Sequence, residues 1–343
     1  MRTPVTERSE LSDIAYGFIA SKALFAGLEL DLFTRLAAGP RDVEALASGT
    51  GVAPHRLRTL LHALDGLGLV VRCADGNGYI NAPAAQRWLV RGAPGGFGEY
   101  FRLQIGRQIY PALRHLDDGL AGTGGAFDTL TGLLGCPEQA RTFTDAQHAG
   151  SRGAARVLAD RLGDELSGAT RLLDVGGGSG AFAIALVERV PGLRAVVLDL
   201  PEVVAVARGY RDAAGLTDRI GLLPGDAADL DWPPGQDVVL MSYLLSALAG
   251  HQIDDVLARA RAALVPGGLL VVHDFMLDDP RAGEPAAPLH AALWFLQYLA
   301  YHPGCVSFSA SELGTRMAAR GFGPTRVEVL IPGITTVVRA VTS

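Results

Sequence analysis

Leu172-Leu173-Asp174-Val175-Gly176-Gly177-Gly178-Ser179-Gly180 decides the fold of this chain. Apolar residues followed by an acid and then by glycines at alternate positions predict a buried strand that ends in a tight turn. Glycine is needed where the backbone must turn sharply and approach a ligand closely, because a side chain would collide there. The next segment, 181–190, has helical composition and stops before Pro191. Strand, glycine turn and helix together form the front half of a nucleotide-binding βαβ unit. The spacing is D-x-G-x-G-x-G, which differs from the dinucleotide pattern G-x-G-x-x-G.

Working outward, residues 193–200 form a second apolar strand with Asp199 at its end, and 219–224 form a third, followed by Gly225-Asp226. A carboxylate at the tip of the second strand can accept hydrogen bonds from both ribose hydroxyls. An acid after the third can accept from the exocyclic amine of adenine. A lone Asp at a strand end is equally well a helix cap or turn residue. Three acids ending three successive strands favour a ligand. A loop that cradles pyrophosphate keeps its helix N-terminus bare for anions. An acid just before the glycines instead suits a cationic end, such as the amino-acid part of S-adenosylmethionine.

The chain has 343 residues, 49% hydrophobic and 19% charged, with a net charge of −6. That composition is globular, with room for two ordinary domains, and the acidic balance argues against nucleic acid as a partner. Cys73, Cys136 and Cys305 are few and far apart, so neither a disulfide framework nor a zinc site is expected. The apolar runs, such as 267–272, are strand-sized, and residues 1–13 lack a signal-peptide core. No membrane association and a cytoplasmic location are the resulting expectations.

Apolar residues at helical spacing over 11–36 predict one helix, 42–50 a second and 53–67 a third, opened by Pro54. Residues 70–72 and 79–81 flank Asp75-Gly76-Asn77-Gly78, a hairpin signal. Three helices and a hairpin spell a winged helix over 1–97. Its third helix is only modestly basic, so dimerisation is expected rather than DNA binding. Residues 98–165 read as a helical linker with a glycine-rich break at 119–126. From 166 to 343 strands and helices alternate, with strands at 171–175, 194–199, 219–223, 237–242 and 267–273, then a closing pair at 325–330 and 334–340. Five parallel strands plus an antiparallel pair give an α/β, doubly wound, seven-stranded sheet.

With these residues in place, the chain resembles the plant-type small-molecule O-methyltransferases, including caffeate, hydroxyindole and bacterial antibiotic-tailoring members. The likeness covers nearly the whole length. It rests on the winged-helix start, 172–180, Asp199-Leu200-Pro201-Glu202-Val203-Val204, Pro224-Gly225-Asp226, Pro266-Gly267-Gly268 and Tyr301-His302-Pro303-Gly304. It implies a class I methyltransferase, Rossmann-like catalytic domain with S-adenosyl-L-methionine as cofactor. The methionine part would be held by Asp174, Gly176, Gly178 and Gly180, the ribose by Asp199 and the adenine by Asp226, with Leu200, Ala227 and Ser242 beside them. It also implies a homodimer formed through the N-terminal domain.

One departure from the family is informative. Members usually carry Leu-His-Asp-Trp after the fourth strand, the His being the general base; aligned without gaps from Asp237, those last three positions are Ser246, Ala247 and Leu248. Of the two carboxylates that steer the base, one corresponds to Asp274 and the other position holds Ser307. A positioned base is worth roughly 10²–10⁴-fold for a phenol, whereas methylation of an electron-rich carbon or neutral amine can rest on in-line positioning. The expectation is therefore methylation of a small aromatic or heterocyclic secondary-metabolite intermediate, narrowly at carbon. The alternatives are O- or N-methylation using another base or proximity alone, and a non-methylating hydroxylase or decarboxylase that only binds the sulfonium.

Asp274, His148, Ser246 and His273 are the candidate catalytic residues; each histidine could equally be a packed one, and His251 reads as a surface residue. His251 with His302 would be the only substitute metal pair, and no metal is expected. Trp294, Phe295, Tyr298 and Tyr301 share one helical face, which is either a core stripe or a substrate wall. As a wall, Trp294, Tyr298 and His302 would line the acceptor pocket together with Phe101, Ile105, Phe143 and Tyr243.

Overall fold

A computed structural model describes residues 4–74, 76, 78–124, 132, 134–279 and 284–342. Asp75 and Asn77 of the hairpin turn, and Gly125 and Ala126 of the glycine-rich break, lie outside the described residues. The chain divides into two compact units, 1–110 and 111–343. The division falls inside the stretch expected to be a separate linker, because residues 98–110 pack with the N-terminal helices.

The first unit contains α1 (Arg8–Glu29), α2 (Leu32–Leu36), α3 (Val43–Thr50), α4 (Pro54–Gly66), the antiparallel hairpin β1 (Val70–Arg72) and β2 (Tyr79–Asn81), and α5 (Pro83–Trp88). The single helix expected over 11–36 is broken at Asp31, whose backbone is left-handed at φ 56°. That conformation is tolerated by Asp better than by most residues, and the Asp31 carboxylate accepts from Arg91 at 3.3 Å. Leu32, Phe33, Leu57, Leu61 and Leu64 are fully buried and form the unit's core with Val70 and Tyr79. A π-helix at Phe101–Ile109 follows, unforeseen in the sequence.

α1 also departs from the reading that apolar runs are only strand-sized. By length and composition it could cross a membrane, yet few of its residues are buried within this chain. Leu11, Ile14, Phe18 and Ile19 stay 51–66% exposed.

The second unit is built on a seven-stranded sheet of order β5-β4-β3-β6-β7-β9-β8. Its strands are β3 (Arg171–Val175), β4 (Arg194–Asp199), β5 (Ile220–Pro224), β6 (Gln236–Ser242), β7 (Leu264–Asp274), β8 (Arg326–Ile331) and β9 (Thr335–Val341). The first five are mutually parallel; β9 inserts antiparallel between β7 and β8. Leu173, Val175, Val239, Met241, Leu270 and Val272 are buried on one face, and Leu172, Val197, Leu240 and Val271 on the other. Burial on both faces explains why these strands read as continuous apolar runs.

The helices of this unit are α6 (Leu116–Ala121), α7 (Pro137–Leu162), α8 (Ala181–Arg189), α9 (Pro201–Ala213), α10 (Gly250–Ala263), α11 (Leu289–Leu299) and α12 (Ala310–Ala318). The strand order reverses between β3 and β6, which opens the crevice where ligands bind in such sheets.

Candidate active site

The glycine turn sits at the C-terminal end of β3, at that crevice. Gly176 and Gly178 both have positive φ, 64° and 58°. A Cβ on Gly177 would stand 2.8 Å from the Asp174 carboxyl, and one on Gly176 would stand 2.9 Å from Leu244. A Cβ on Gly178 meets nothing within 4 Å, so any side chain there would project into open space. The turn therefore presents bare backbone to a cavity of about 370 Å³.

Asp199 at the end of β4 lines that cavity. Its Oδ2 accepts from the Gly178 amide at 2.7 Å and its Oδ1 from the Leu200 amide at 2.8 Å. Each oxygen keeps a second lone pair for a ligand hydroxyl. Burial pushes the carboxyl up to about 6, against the pull of those two amides and with the charge of Asp226 adding to the rise. Asp226 also lines the cavity and accepts from the Ala228 amide at 2.9 Å. Leu200, Ala227 and Ser242 border the same space.

Asp174 is one layer deeper. It is fully buried beneath Gly177, and neither carboxylate oxygen meets a hydrogen-bond partner of normal geometry among the described residues. Burial pushes it up to about 7, the charge of Asp199 adds to the rise and the Ala183 amide opposes it. The expectation that Asp174 faces the ligand is thus corrected to a place under the turn. Gly180 likewise shapes the turn, with φ 77° and its amide bound to the Gly177 carbonyl, rather than facing the cavity.

These features fit S-adenosyl-L-methionine. The bare turn would take the amino-acid end, free lone pairs on Asp199 the ribose hydroxyls, and the loop of Asp226 the adenine. Bound there, the group supplies an electrophilic methyl on a sulfonium.

The candidate catalytic side chains stand further from open space than the sequence suggested. His273 is a fully buried core histidine on β7. Its Nδ1 pairs with Ser242 Oγ at 2.8 Å and its Nε2 with Thr335 Oγ1 at 2.9 Å, and burial lowers it to about 3. With both nitrogens engaged and the ring outside the cavity lining, His273 sits as a packed core histidine rather than at the place expected of a catalytic one. Asp274 is also fully buried; its Oδ2 accepts from the Ser246 amide at 3.0 Å and its Oδ1 from the Phe275 amide at 2.8 Å. It caps the turn at 245–247 and does not reach the cavity. Burial raises it to about 6, opposed chiefly by Ser246.

The Ser246 hydroxyl lies beside Asp274 and Tyr298, is fully buried, and completes no hydrogen bond of normal geometry. His148 on α7 pairs through Nδ1 with Ser179 Oγ at 2.9 Å and stacks on Tyr210 with ring centroids 3.8 Å apart. Burial first, and then the nearby charge of Arg152, lower it to about 4. It braces the glycine turn and is not among the cavity's lining residues. His251 is exposed at the start of α10, as expected.

Of the expected acceptor wall, Phe143, Tyr243, Tyr298 and His302 line the cavity. Trp294 does not; it stacks on Phe275 at 4.4 Å and stands edge-on to Tyr298, one shell behind. Phe101 and Ile105 belong to the first unit, where Phe101 packs against the core. Tyr243 follows β6 with φ 58°, held by its amide on the His273 carbonyl at 2.8 Å and flanked by the rings of His273 and Phe275. Sequence reasoning assigned no role to Gln147, Ser151, Asp229 and Gln252, which also line the cavity. Gln147 and Ser151 lie one helical turn apart on α7, a spacing that could have marked them once His148 was singled out.

Fold and site together define an α/β methyl-transfer enzyme. Residues 136–322 match the O-methyltransferase domain and residues 12–91 the O-methyltransferase dimerisation domain. The chain belongs to this family: it is a methyltransferase with S-adenosyl-L-methionine as its methyl donor. It is 33% identical to a tetracenomycin polyketide synthesis 8-O-methyltransferase of Streptomyces glaucescens, over 81% of this chain and 82% of that one. It is also 33% identical to a 3-hydroxy-5-methyl-1-naphthoate 3-O-methyltransferase of Streptomyces sahachiroi, over 84% and 82%. Human N-acetylserotonin methyltransferase, solved with its methyl donor, superposes with a TM-score of 0.86 at 24% identity over the whole of both chains.

Proposed function

We propose that this enzyme methylates a hydroxyl oxygen of a small aromatic or heterocyclic natural-product precursor, by approach and orientation rather than by a histidine base. One observation carries the reading: the side chains expected to take a proton are withdrawn from the cavity. Asp274 and His273 have their polar atoms held by protein groups, and His148 is committed to Ser179 and Tyr210. Ser246, which the resemblance aligns with the family's base, is buried.

Holding two reactants in line can supply about 7–11 kcal/mol of the barrier without proton transfer. Phe143, Phe182, Tyr243 and Tyr298 give the cavity flat apolar surfaces suited to a ring system. Oxygen replaces the carbon acceptor first expected, because the two Streptomyces relatives above are named as O-methyltransferases of aromatic compounds. The carbon expectation rested on the missing base alone, which does not distinguish carbon from an oxygen that needs no base. The exposed apolar face of α1, within the dimerisation domain, supports a homodimer through the first unit.

The test is transfer from a carbon-13 methyl donor to a panel of hydroxynaphthoates, hydroxyquinones and aminophenols, read by mass spectrometry and NMR. A methoxy signal is expected. A label on carbon or nitrogen overturns the choice of atom, and no transfer to any member overturns the reading.

A further inference from the structure

His302 carries a constraint that the methyl-transfer reading leaves unused. The backbone amide of Gly304 donates to its Nδ1 at 2.8 Å. An amide N–H can only donate, so Nδ1 is the accepting nitrogen and the neutral ring must carry its proton on Nε2. Gly304 has to be glycine for this: a Cβ there would stand 2.7 Å from His302 Cε1. The one hydrogen bond of the ring among the described residues is at Nδ1, and the side chain lines the cavity. His302 is therefore a fixed donor and has no free lone pair with which to remove a proton.

The rest of the cavity agrees. Its ionisable lining residues are Asp199, Asp226, Asp229, Tyr243, Tyr298 and His302. Asp199 ends β4, and Asp226 and Asp229 lie in the loop after β5, all on the nucleotide side of β3. Tyr298 and His302 come from α11 and the turn after it. The Tyr298 hydroxyl lies against Ser246, Trp294 and Asp274, and burial, with the charge of Asp274 adding, raises it well above its usual range, so it stays protonated. Among the described residues, the α11 side of the cavity thus offers the His302 donor and no group that takes a proton.

We infer that the acceptor arrives already as an oxyanion, of the hydroxyquinone or vinylogous-acid class, and that His302 Nε2–H recognises its oxygen or the conjugated carbonyl. This rests on the methyl-transfer reading and narrows its substrate class. The step balances without a base. The anionic oxygen supplies the electron pair of the new C–O bond, the pair of the breaking S–C bond stays on sulfur, and no proton moves. An anion beside a sulfonium becomes two neutral products. An ordinary phenol would have to lose its proton with no group on this side to take it.

The experiment uses the full-length enzyme loaded with S-adenosylhomocysteine and two probes of similar size, 2-hydroxy-1,4-naphthoquinone and 1-naphthol, at neutral pH. The first is ionised there and the second is not. A charge-assisted hydrogen bond exceeds a neutral one by enough to favour the hydroxyquinone about tenfold. Its visible spectrum should remain that of the anion to a lower pH when bound than when free. His302→Leu should remove the preference while leaving S-adenosylhomocysteine affinity intact, and His302→Gln, which keeps an N–H donor, should retain most of it. Equal affinity for the two probes, a bound spectrum of the neutral quinone, an unchanged preference in His302→Leu, or binding of neither probe would each overturn the inference. Methyl transfer to neutral phenols without preference would sink this inference and leave the O-methylation reading standing. Failure of all transfer would sink that reading, while the spectrum of the bound probe still decides this one.

Discussion

The Asp199 carboxylate holds the Gly178 amide at 2.7 Å, so the end of β4 and the glycine turn after β3 are one structural piece. The same carboxylate both shapes the turn and offers lone pairs to the cavity. Replacing Asp199 with Ala should weaken S-adenosylhomocysteine binding by about 10- to 100-fold, since hydrogen bonds to a charged group contribute roughly 1.5–3 kcal/mol. Calorimetry would check this, and an affinity within twofold of the parent would refute the assignment. Ligand hydroxyls favour the ionised form, and Asp199 sits at about 6 in the free enzyme. Affinity should consequently fall as pH drops through 6, with up to one proton released on binding there, and Asp199→Ala should abolish that dependence.

Asp174 predicts a stability effect of definite sign. Its folded value, about 7, lies above the ordinary 3.8. Its contribution to stability is therefore complete below pH 4 and is lost as pH rises through 7. At pH 8 the folded protein carries a buried carboxylate whose burial the Ala183 amide only partly offsets; at pH 5 the group is neutral. Asp174→Asn should raise the melting temperature more at pH 8 than at pH 5. Thermal scans of the ligand-free protein at the two pH values decide it, and an equal or reversed difference would show that the carboxylate is better compensated than its surroundings indicate.

His148 braces the turn from α7 through Ser179 and, held near 4, stays neutral at every ordinary assay pH. His148→Ala should weaken S-adenosylhomocysteine binding about three- to tenfold through the lost hydrogen bond, worth roughly 1 kcal/mol. The acid limb of the rate profile should not move. A shifted limb would mean that His148 titrates during turnover.

The β-α-β core and the acids of the nucleotide site were readable because they depend on local order: strand, glycine turn, helix, and an acid at each strand end. What escaped depends on partners far away in the chain. His273 resembles a candidate base at a strand end until Ser242, 31 residues back, and Thr335, 62 residues on, are seen to hold its two nitrogens. His148 is settled by Tyr210 on another helix, and Asp174 by the depth of the turn above it. The break at Asp31 escaped because both sides of it carry the same apolar spacing. Only its left-handed backbone and its contact with Arg91 interrupt the helix.

Ser246 and Asp274 should separate cleanly under mutation. The Ser246 hydroxyl completes no hydrogen bond of normal geometry, so Ser246→Ala should leave kcat within about twofold and stability nearly unchanged. Asp274 accepts from two backbone amides. Asp274→Ala strands both of them and should cost about 2–6 kcal/mol, at 1–3 for each buried group left unpaired. Denaturant unfolding checks the second and steady-state rates the first. A collapse of activity in Ser246→Ala would return this serine to the chemistry.

The tightest approach in the second unit joins α6 to α11. A Cβ on Gly119 would stand only 1.9 Å from the carbonyl oxygen of Leu299, a backbone atom that cannot rotate away. Gly119→Ala must push the two helices apart, and overpacking of this kind costs about 1–3 kcal/mol. Leu299 is the residue after Tyr298, and the His302 amide donates to the Tyr298 carbonyl at 2.8 Å. Displacing the Leu299 carbonyl therefore moves the α11 side of the cavity, while Asp199 and the glycine turn stand on strands with which α6 has no extensive contact. The substitution should raise KM for the acceptor several-fold and leave S-adenosylhomocysteine affinity within about twofold. Parallel calorimetry and steady-state kinetics separate the two, and an equal loss on both sides would mean that the strain spreads through the sheet rather than stopping at α11.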